Sequence, residues 1–276
     1  MLYIDKRPVT GGKFPNKETY VDFDELQGLD PRAPHELTCK FESNDDLVNL
    51  MLYKKSLYDA GFTDVGLFLP YLPYAALDRT EDKRCLGAKH VGAFLNGLHF
   101  SYVRSWEVHS NVALATVDRI RDTLVSAEIY RDVYDGLVAD GVAMEDIVCV
   151  FPDDGAKTRY KSLRPVRSVT FGKGRRFKDG KLDPPRLLEK DFAGEPTHAL
   201  VIDDLCRGGR TVCAVAAELK KLAPGIKILF CVAHTEDTVY TGPILEDSNV
   251  DRIYTTDSCL SGVRHDKLEI VRSILD

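Results

Sequence analysis

Hydrophobic positions along this 276-residue chain fall into two alternating patterns: short continuous apolar runs, and longer stretches with an apolar residue every third or fourth place. The first pattern predicts strands at 65–69, 102–108, 146–150, 166–171, 198–202, 226–233 and 250–255. The second predicts helices near 88–95, over 117–139, from 211 onward and over 267–275. Residues 14–24 alternate as a short strand would. Ser43 is placed to cap a helix, with Asp46 as the capping-box acid, Leu47, Leu50, Met51 and Leu57 on the buried face, and Gly61 just past its end. Strands that alternate with helices predict parallel sheets covered by helices. The alternation starts afresh near residue 130, so the chain reads as α/β with two βα halves. The domains expected are 1–128, with the terminal helix 264–276 packing back on it, and 129–263.

Composition refines this picture without changing it. Apolar residues make up 44% and charged residues 29%, as in globular domains with ample core. Thirty-seven basic against 43 acidic residues leave a formal charge of −6, which disfavours nucleic acid and membrane surfaces as partners. The segment MLYIDKRPVTGG lacks the apolar stretch of a signal peptide. The apolar region around 65–77 is broken by Pro70 and Pro73, so a cytoplasmic protein is expected. Seven scattered cysteines without CxxC spacing predict reduced thiols and no zinc site.

The stretch HALVIDDLCRGGRTVCAVAA at 198–217 concentrates the candidate chemistry. An apolar strand ends in Asp203 and Asp204, Gly208 and Gly209 make a tight turn, and Thr211 opens a helix whose apolar face is Val212, Val215, Ala216, Leu219 and Leu222. A glycine turn leading into a helix offers backbone N–H groups to an anion. The two carboxylates suit sugar hydroxyls, or a divalent cation that bridges to phosphate oxygens. A helix-capping role explains one acid of this pair but not two beside a double glycine.

Other motifs fall in a consistent order: FPNKE at 14–18, SNDDL at 43–47, PYLPYAALDR at 70–79, AKHVGAFL at 88–95, WEVHS at 106–110, FPDDGAKTR at 151–159, FGKGRR at 171–176 and TGPI at 241–244. Together with VIDDLCRGGRT at 201–211, they make the chain resemble the ribose-phosphate pyrophosphokinases over nearly its full length. The resemblance implies two tandem type I phosphoribosyltransferase-like domains. It implies transfer of a diphosphoryl group from ATP to the anomeric hydroxyl of a ribose 5-phosphate unit, with Mg²⁺ and release of AMP. Carried over residue by residue, it gives Asp203 and Asp204 the ribose hydroxyls and gives the 5-phosphate to Arg207, Gly208, Gly209, Arg210 and Thr211. Lys173 and Arg175 become the catalytic basic pair that neutralises the transferring phosphates. Phe14, Asn16, Glu18, Asp78, Arg79 and His109 are assigned to ATP, and His109 and Asp153 to its metal. The adenine turn of the family reaches a neighbouring subunit, which implies a homo-oligomer.

Each assignment has a plainer rival. A lone histidine after a strand, such as His109, is more often a core or surface residue. The stretch 157–181, with ten basic residues and one acid, could be a solvated face or a nucleic-acid patch. The chain also departs from the family. The loop that usually reads Asp-Thr-(Ala/Gly)-Gly-Thr is Arg207-Gly208-Gly209-Arg210-Thr211, Ala76 and Leu77 stand where Arg-Gln is usual, and Lys17 replaces a glycine. Two cations in a glycine-walled loop suit an acceptor with charge beyond one phosphate, and ADP-ribose is the leading candidate. Divergent relatives with a GGRT loop look like partners of nicotinamide-handling transferases, so the product implied is ADP-ribose pyrophosphate on a route to NAD. An ordinary ribose 5-phosphate enzyme, a silent regulatory subunit and a transferase consuming phosphoribosyl pyrophosphate remain as alternatives.

Overall fold

The computed structural model describes every residue except 81–83, 176–181, 192–193 and 263; the side chains of 173–175 and 182–184 also lie outside the description. The chain divides into two compact units, Met1–Thr123 together with Ile274–Asp276, and Leu124–Ser273.

In the first unit β1 (Leu2–Ile4), β2 (Arg7–Pro8) and the hairpin β3 (Gly11–Lys13)–β4 (Thr19–Val21) precede β5 (His35–Cys39). There follow α1 (Asn44–Asp59), β6 (Val65–Phe68), α2 (Gly87–Asn96), β7 (Val103–Trp106), the short α3 (Asn111–Leu114) and β8 (Ile120–Thr123). The sheet order is β2-β1-β5-β6-β7-β8, with β5 to β8 parallel and β1 antiparallel to both neighbours. Ser43 and Asp46 form the expected capping box, and Gly61 adopts φ 91° just past the helix end. Leu50, Tyr53 and Leu57 of α1 pack with Ile4, Leu37 and Leu67 into the core. The helical pattern expected over 117–139 is split: Ile120–Thr123 is an edge strand, and the helix begins only at Val125.

The second unit contains α4 (Val125–Ala139), β9 (Ile147–Phe151), α5 (Asp154–Arg159), β10 (Ser168–Arg175), β11 (Leu182–Lys190), β12 (His198–Cys206), α6 (Arg210–Leu222), β13 (Lys227–Thr235), β14 (Arg252–Thr256) and β15 (Leu268–Arg272). Its sheet runs β11-β10-β9-β12-β13-β14-β15, parallel throughout except for β10–β11. Residues 199–202 of β12 are fully buried at the centre, the continuous apolar signature of an interior parallel strand. Val212, Val215, Ala216 and Leu219 of α6 cover them, whereas Leu222 is exposed because the helix ends there.

Two expectations are corrected here. No helix forms over 264–276. Leu268–Arg272 is a strand beside β14, where Leu268 and Ile270 take registers against Ile253 and Thr255. An apolar run that short is compatible with either structure, and pairing decided it. The strand expected over 166–171 also runs further than its apolar pattern. β10 continues to Arg175 in antiparallel pairing with β11, so Lys173 and Arg175 stand on a strand. Among the described residues no helix is long and apolar enough to cross a membrane. All seven cysteines are free.

Candidate active site

β12 does not stop at the acid pair but runs on through Cys206, so Asp203 and Asp204 belong to the strand itself. Ser126, in the first turn of α4, fixes this point. Its hydroxyl donates to the Asp203 carbonyl (2.8 Å) and accepts from the Ala233 N–H (2.8 Å), joining α4, β12 and β13. The Asp204 N–H donates to Asp203 Oδ1 at 3.0 Å. Burial, then the Asp204 and Asp153 carboxylates, push the Asp203 carboxyl well above the usual range. Asp204 is 7% exposed and forms an ion pair with Arg159 at 3.3 Å. Three acids and one guanidinium therefore meet at the carboxyl end of the sheet, which is where ligands sit in open α/β sheets.

Arg159 was quoted within a motif but given no role by the sequence. Its partner is 45 residues away, and only the adjacency of β9 and β12 brings the two together. Asp153 caps α5, its Oδ1 accepting from the Ala156 N–H at 2.9 Å. Its carboxylate thus orients a helix as well as facing Asp203.

The glycine loop is built by close packing. Gly209 has φ 75°, a left-handed conformation that favours glycine, and a Cβ there would lie 2.3 Å from Ile244. Opposite, a Cβ on Gly242 would lie 2.4 Å from the Gly208 carbonyl oxygen. The TGPI segment is therefore the wall against which the loop is shaped. Arg210 begins α6 and is exposed, and Thr211 follows half-buried. Arg207 is exposed and bonds Glu236 through Nε at 3.4 Å.

In the first unit, Asp78, Arg79 and His109 are brought together with Ser110, a residue that the sequence did not single out. Burial opposes the charge on Asp78, yet bonds from Ser110 and Arg79 and the nearby His109 hold its pKa below the usual carboxylate value. The Arg79 Nε–Asp78 Oδ1 distance is 3.2 Å. Phe14, Asn16 and Glu18 form the exposed turn of the β3–β4 hairpin. The Glu18 N–H donates to Asn16 Oδ1 (3.1 Å), and the Phe14 ring lies 4.8 Å from Tyr20. Lys17 in this turn has φ 73°, which is why a glycine would suit the position. Lys173 and Arg175 are placed by backbone alone, and their side chains lie outside the described residues.

Among the described residues no three His, Cys, Asp or Glu side chains converge as a ready-made metal site. Asp153, Asp203 and Asp204 offer carboxylate oxygens, the donors of which Mg²⁺ commonly takes one or two, completing its shell with water and substrate phosphates. The raised Asp203 carboxyl marks a place short of positive charge.

No family model matches the chain. It is 24% identical over 227 residues to a ribose-phosphate pyrophosphokinase of Pyrococcus abyssi, covering 80% of this chain and 73% of that one. A protein of the same name from Thermococcus kodakarensis is 23% identical, covering 95% and 89%. Among solved structures, the phosphoribosylpyrophosphate synthetase of Mycobacterium smegmatis shares the fold with a TM-score of 0.77 and 19% identity, over 97% of this chain and 86% of that one. The chain is therefore similar over most of its length to proteins named ribose-phosphate pyrophosphokinase, and it shares the fold of a phosphoribosylpyrophosphate synthetase.

Proposed function

We propose that the protein is an ATP-dependent diphosphotransferase acting on the anomeric hydroxyl of a ribose 5-phosphate unit, with ADP-ribose as the preferred acceptor. The observation that carries this reading is the end of β12, where an acid pair opens directly into a glycine loop shaped against Gly242. The relatives bear the name of the same reaction class.

In this mechanism Asp203 and Asp204 receive the ribose 2- and 3-hydroxyls and so orient the anomeric oxygen for attack on the β-phosphorus of ATP. Arg159 holds Asp204 in place for that task. The N–H groups at the start of α6, with Thr211, receive the 5-phosphate. Lys173 and Arg175 would meet the negative charge that spreads over the transferring phosphates. This step needs positioning and neutralisation more than covalent help. Asp78, Arg79 and His109 would take the nucleotide, and the Phe14–Glu18 turn its base. Mg²⁺, for which Asp153 would offer a carboxylate in the second unit, would withdraw charge from the phosphate oxygens of ATP.

The preference for ADP-ribose rests on the loop composition. Gly208 and Gly209 let the loop pack closely against Gly242 and Ile244, and the exposed Arg207 and Arg210 flank it, which suits a diphosphate bridge. The product would be ADP-ribose pyrophosphate, a substrate for base exchange to NAD. The test is to incubate the protein with ATP, Mg²⁺ and either ADP-ribose or ribose 5-phosphate, and to follow AMP by chromatography. AMP formed faster with ADP-ribose supports the reading. AMP with ribose 5-phosphate alone makes the protein an ordinary synthetase, and none with either favours a silent regulatory homologue.

A further inference from the structure

Glu236 belongs to none of the motifs, yet it stands at the rim of the glycine loop. Its N–H donates to the Cys206 carbonyl (2.9 Å), carrying the β12–β13 pairing one step beyond Cys206–Thr235 and setting Glu236 beside Arg207. Glu236 Oε1 accepts from Arg207 Nε at 3.4 Å, and Oε2 accepts from Thr238 Oγ1 at 3.5 Å. The carboxylate thus lies within reach of both partners, and one edge of the guanidinium faces it. A loop meant to take the most negative phosphate available would not carry a carboxylate at its mouth. Arg207 and Glu236 sum to zero charge, so Arg210 and the backbone N–H groups supply the remaining positive field.

We propose that Glu236 is a specificity-determining residue of the acceptor site, selecting a diphosphate-bridged acceptor over a terminal phosphomonoester. The inference rests on the acceptor reading above. A phosphomonoester carries a charge of about −1.5 to −2 at pH 7, with a second pKa near 6. To bind, it must either draw Arg207 away from Glu236 or lie beside the carboxylate and be repelled. In a diphosphate bridge each phosphorus carries one charge, and the chain continues outward instead of ending in a dianion. Such a group accepts the partial positive field of the paired Arg207 without displacing Glu236.

The test is calorimetric titration of the wild-type full chain and of Glu236→Gln with ribose 5-phosphate and with ADP-ribose, both with Mg²⁺, at pH 7.5 and 5.5. Glu236→Gln is expected to tighten ribose 5-phosphate about five-fold at pH 7.5, the scale of one exposed charge contact. ADP-ribose should tighten by less than about two-fold. At pH 5.5, where the monoester is largely a monoanion, the difference between the two ligands should shrink. A merely structural role for Glu236 would shift both ligands alike at both pH values. That result, or an unchanged or weakened ribose 5-phosphate affinity, overturns the assignment while leaving the acceptor reading standing. If neither ligand binds wild type or variant, and neither yields AMP, the acceptor reading fails and takes this inference with it.

Discussion

Two acidic clusters stand at the carboxyl ends of the two sheets, and their electrostatic states are opposite. Asp78 is already compensated: Ser110, Arg79 and His109 hold its carboxyl below the ordinary value despite burial. Asp203 is not: burial, Asp204 and Asp153 all raise it, and they outweigh the bond from the Asp204 N–H that lowers it. A self-compensated acid is a structural fixture that a ligand can lean on. An acid crowded by like charges stores repulsion that a cation or a donor hydroxyl relieves, which is how binding sites are recognised. The contrast is consistent with the acceptor chemistry proposed for the end of β12 and with a supporting role for Asp78.

The sharpest way to break the β12 site is through its backbone. Gly209→Ala would place a methyl against Ile244 at a positive φ, so the loop must move to accept it. The expected result is loss of AMP formation by about a hundred-fold or more, with a stability loss of about 1–3 kcal/mol. AMP chromatography and thermal melting measure the two. Asp203→Asn should separate activity from stability. It removes a like charge beside Asp204 and Asp153, so the melting temperature should rise, by an amount equivalent to roughly 1 kcal/mol. Activity should nevertheless fall by a factor of about 100, because a hydroxyl-orienting carboxylate is gone. A variant both less stable and fully active would mean that the acid pair is a structural cap.

These variants also indicate what could be read in the sequence. The βα alternation, the Ser43 capping box and the burial of 198–202 were legible because each depends on local periodicity or turn chemistry. The glycine pair was legible for the same reason, but its cause was not: Gly208 faces Gly242, a neighbour 34 residues away. Arg159, Ser126 and Glu236 were missed because each acts through a partner supplied by an adjacent strand. The strands at Ile120–Thr123 and Leu268–Arg272 were read as helix because both are short edge strands with weak alternation. Edge pairing is a tertiary fact that a local pattern does not carry.

On the Asp78 side the effect on stability should be of opposite sign, and the effect on activity smaller. Asp78→Asn replaces the charged acceptor of Ser110 and Arg79, and should destabilise the fold by about 1–3 kcal/mol at neutral pH. Because the Asp78 pKa is depressed from 3.8, this stabilisation is present above the unfolded value and is lost as pH falls through the folded one. The melting gap between wild type and variant should thus close on acidification below about pH 4. A gap independent of pH would mean that shape, not charge, holds the cluster. AMP formation should fall less than for Asp203→Asn, and mainly through a raised KM for ATP.

The smallest effect belongs to a histidine outside both clusters. His35 is buried, with Nδ1 2.7 Å from Asp5 Oδ2 and Nε2 2.9 Å from the Asp30 carbonyl oxygen. Burial works against its charge, but the Asp30 carbonyl and the Asp5 carboxylate outweigh it and raise the pKa above 6.5. A raised histidine contributes stability that is complete below the unfolded pKa and is lost as pH rises through the folded one. His35→Asn should therefore lower the melting temperature most near pH 5.5, by an amount equivalent to about 1 kcal/mol, and least above pH 8. AMP formation at pH 8 should be unchanged, since His35 contacts none of the residues assigned to either substrate. A fall in activity at that pH would move part of the chemistry away from β12 and Asp78, and the contrast between the two acidic clusters would lose its meaning.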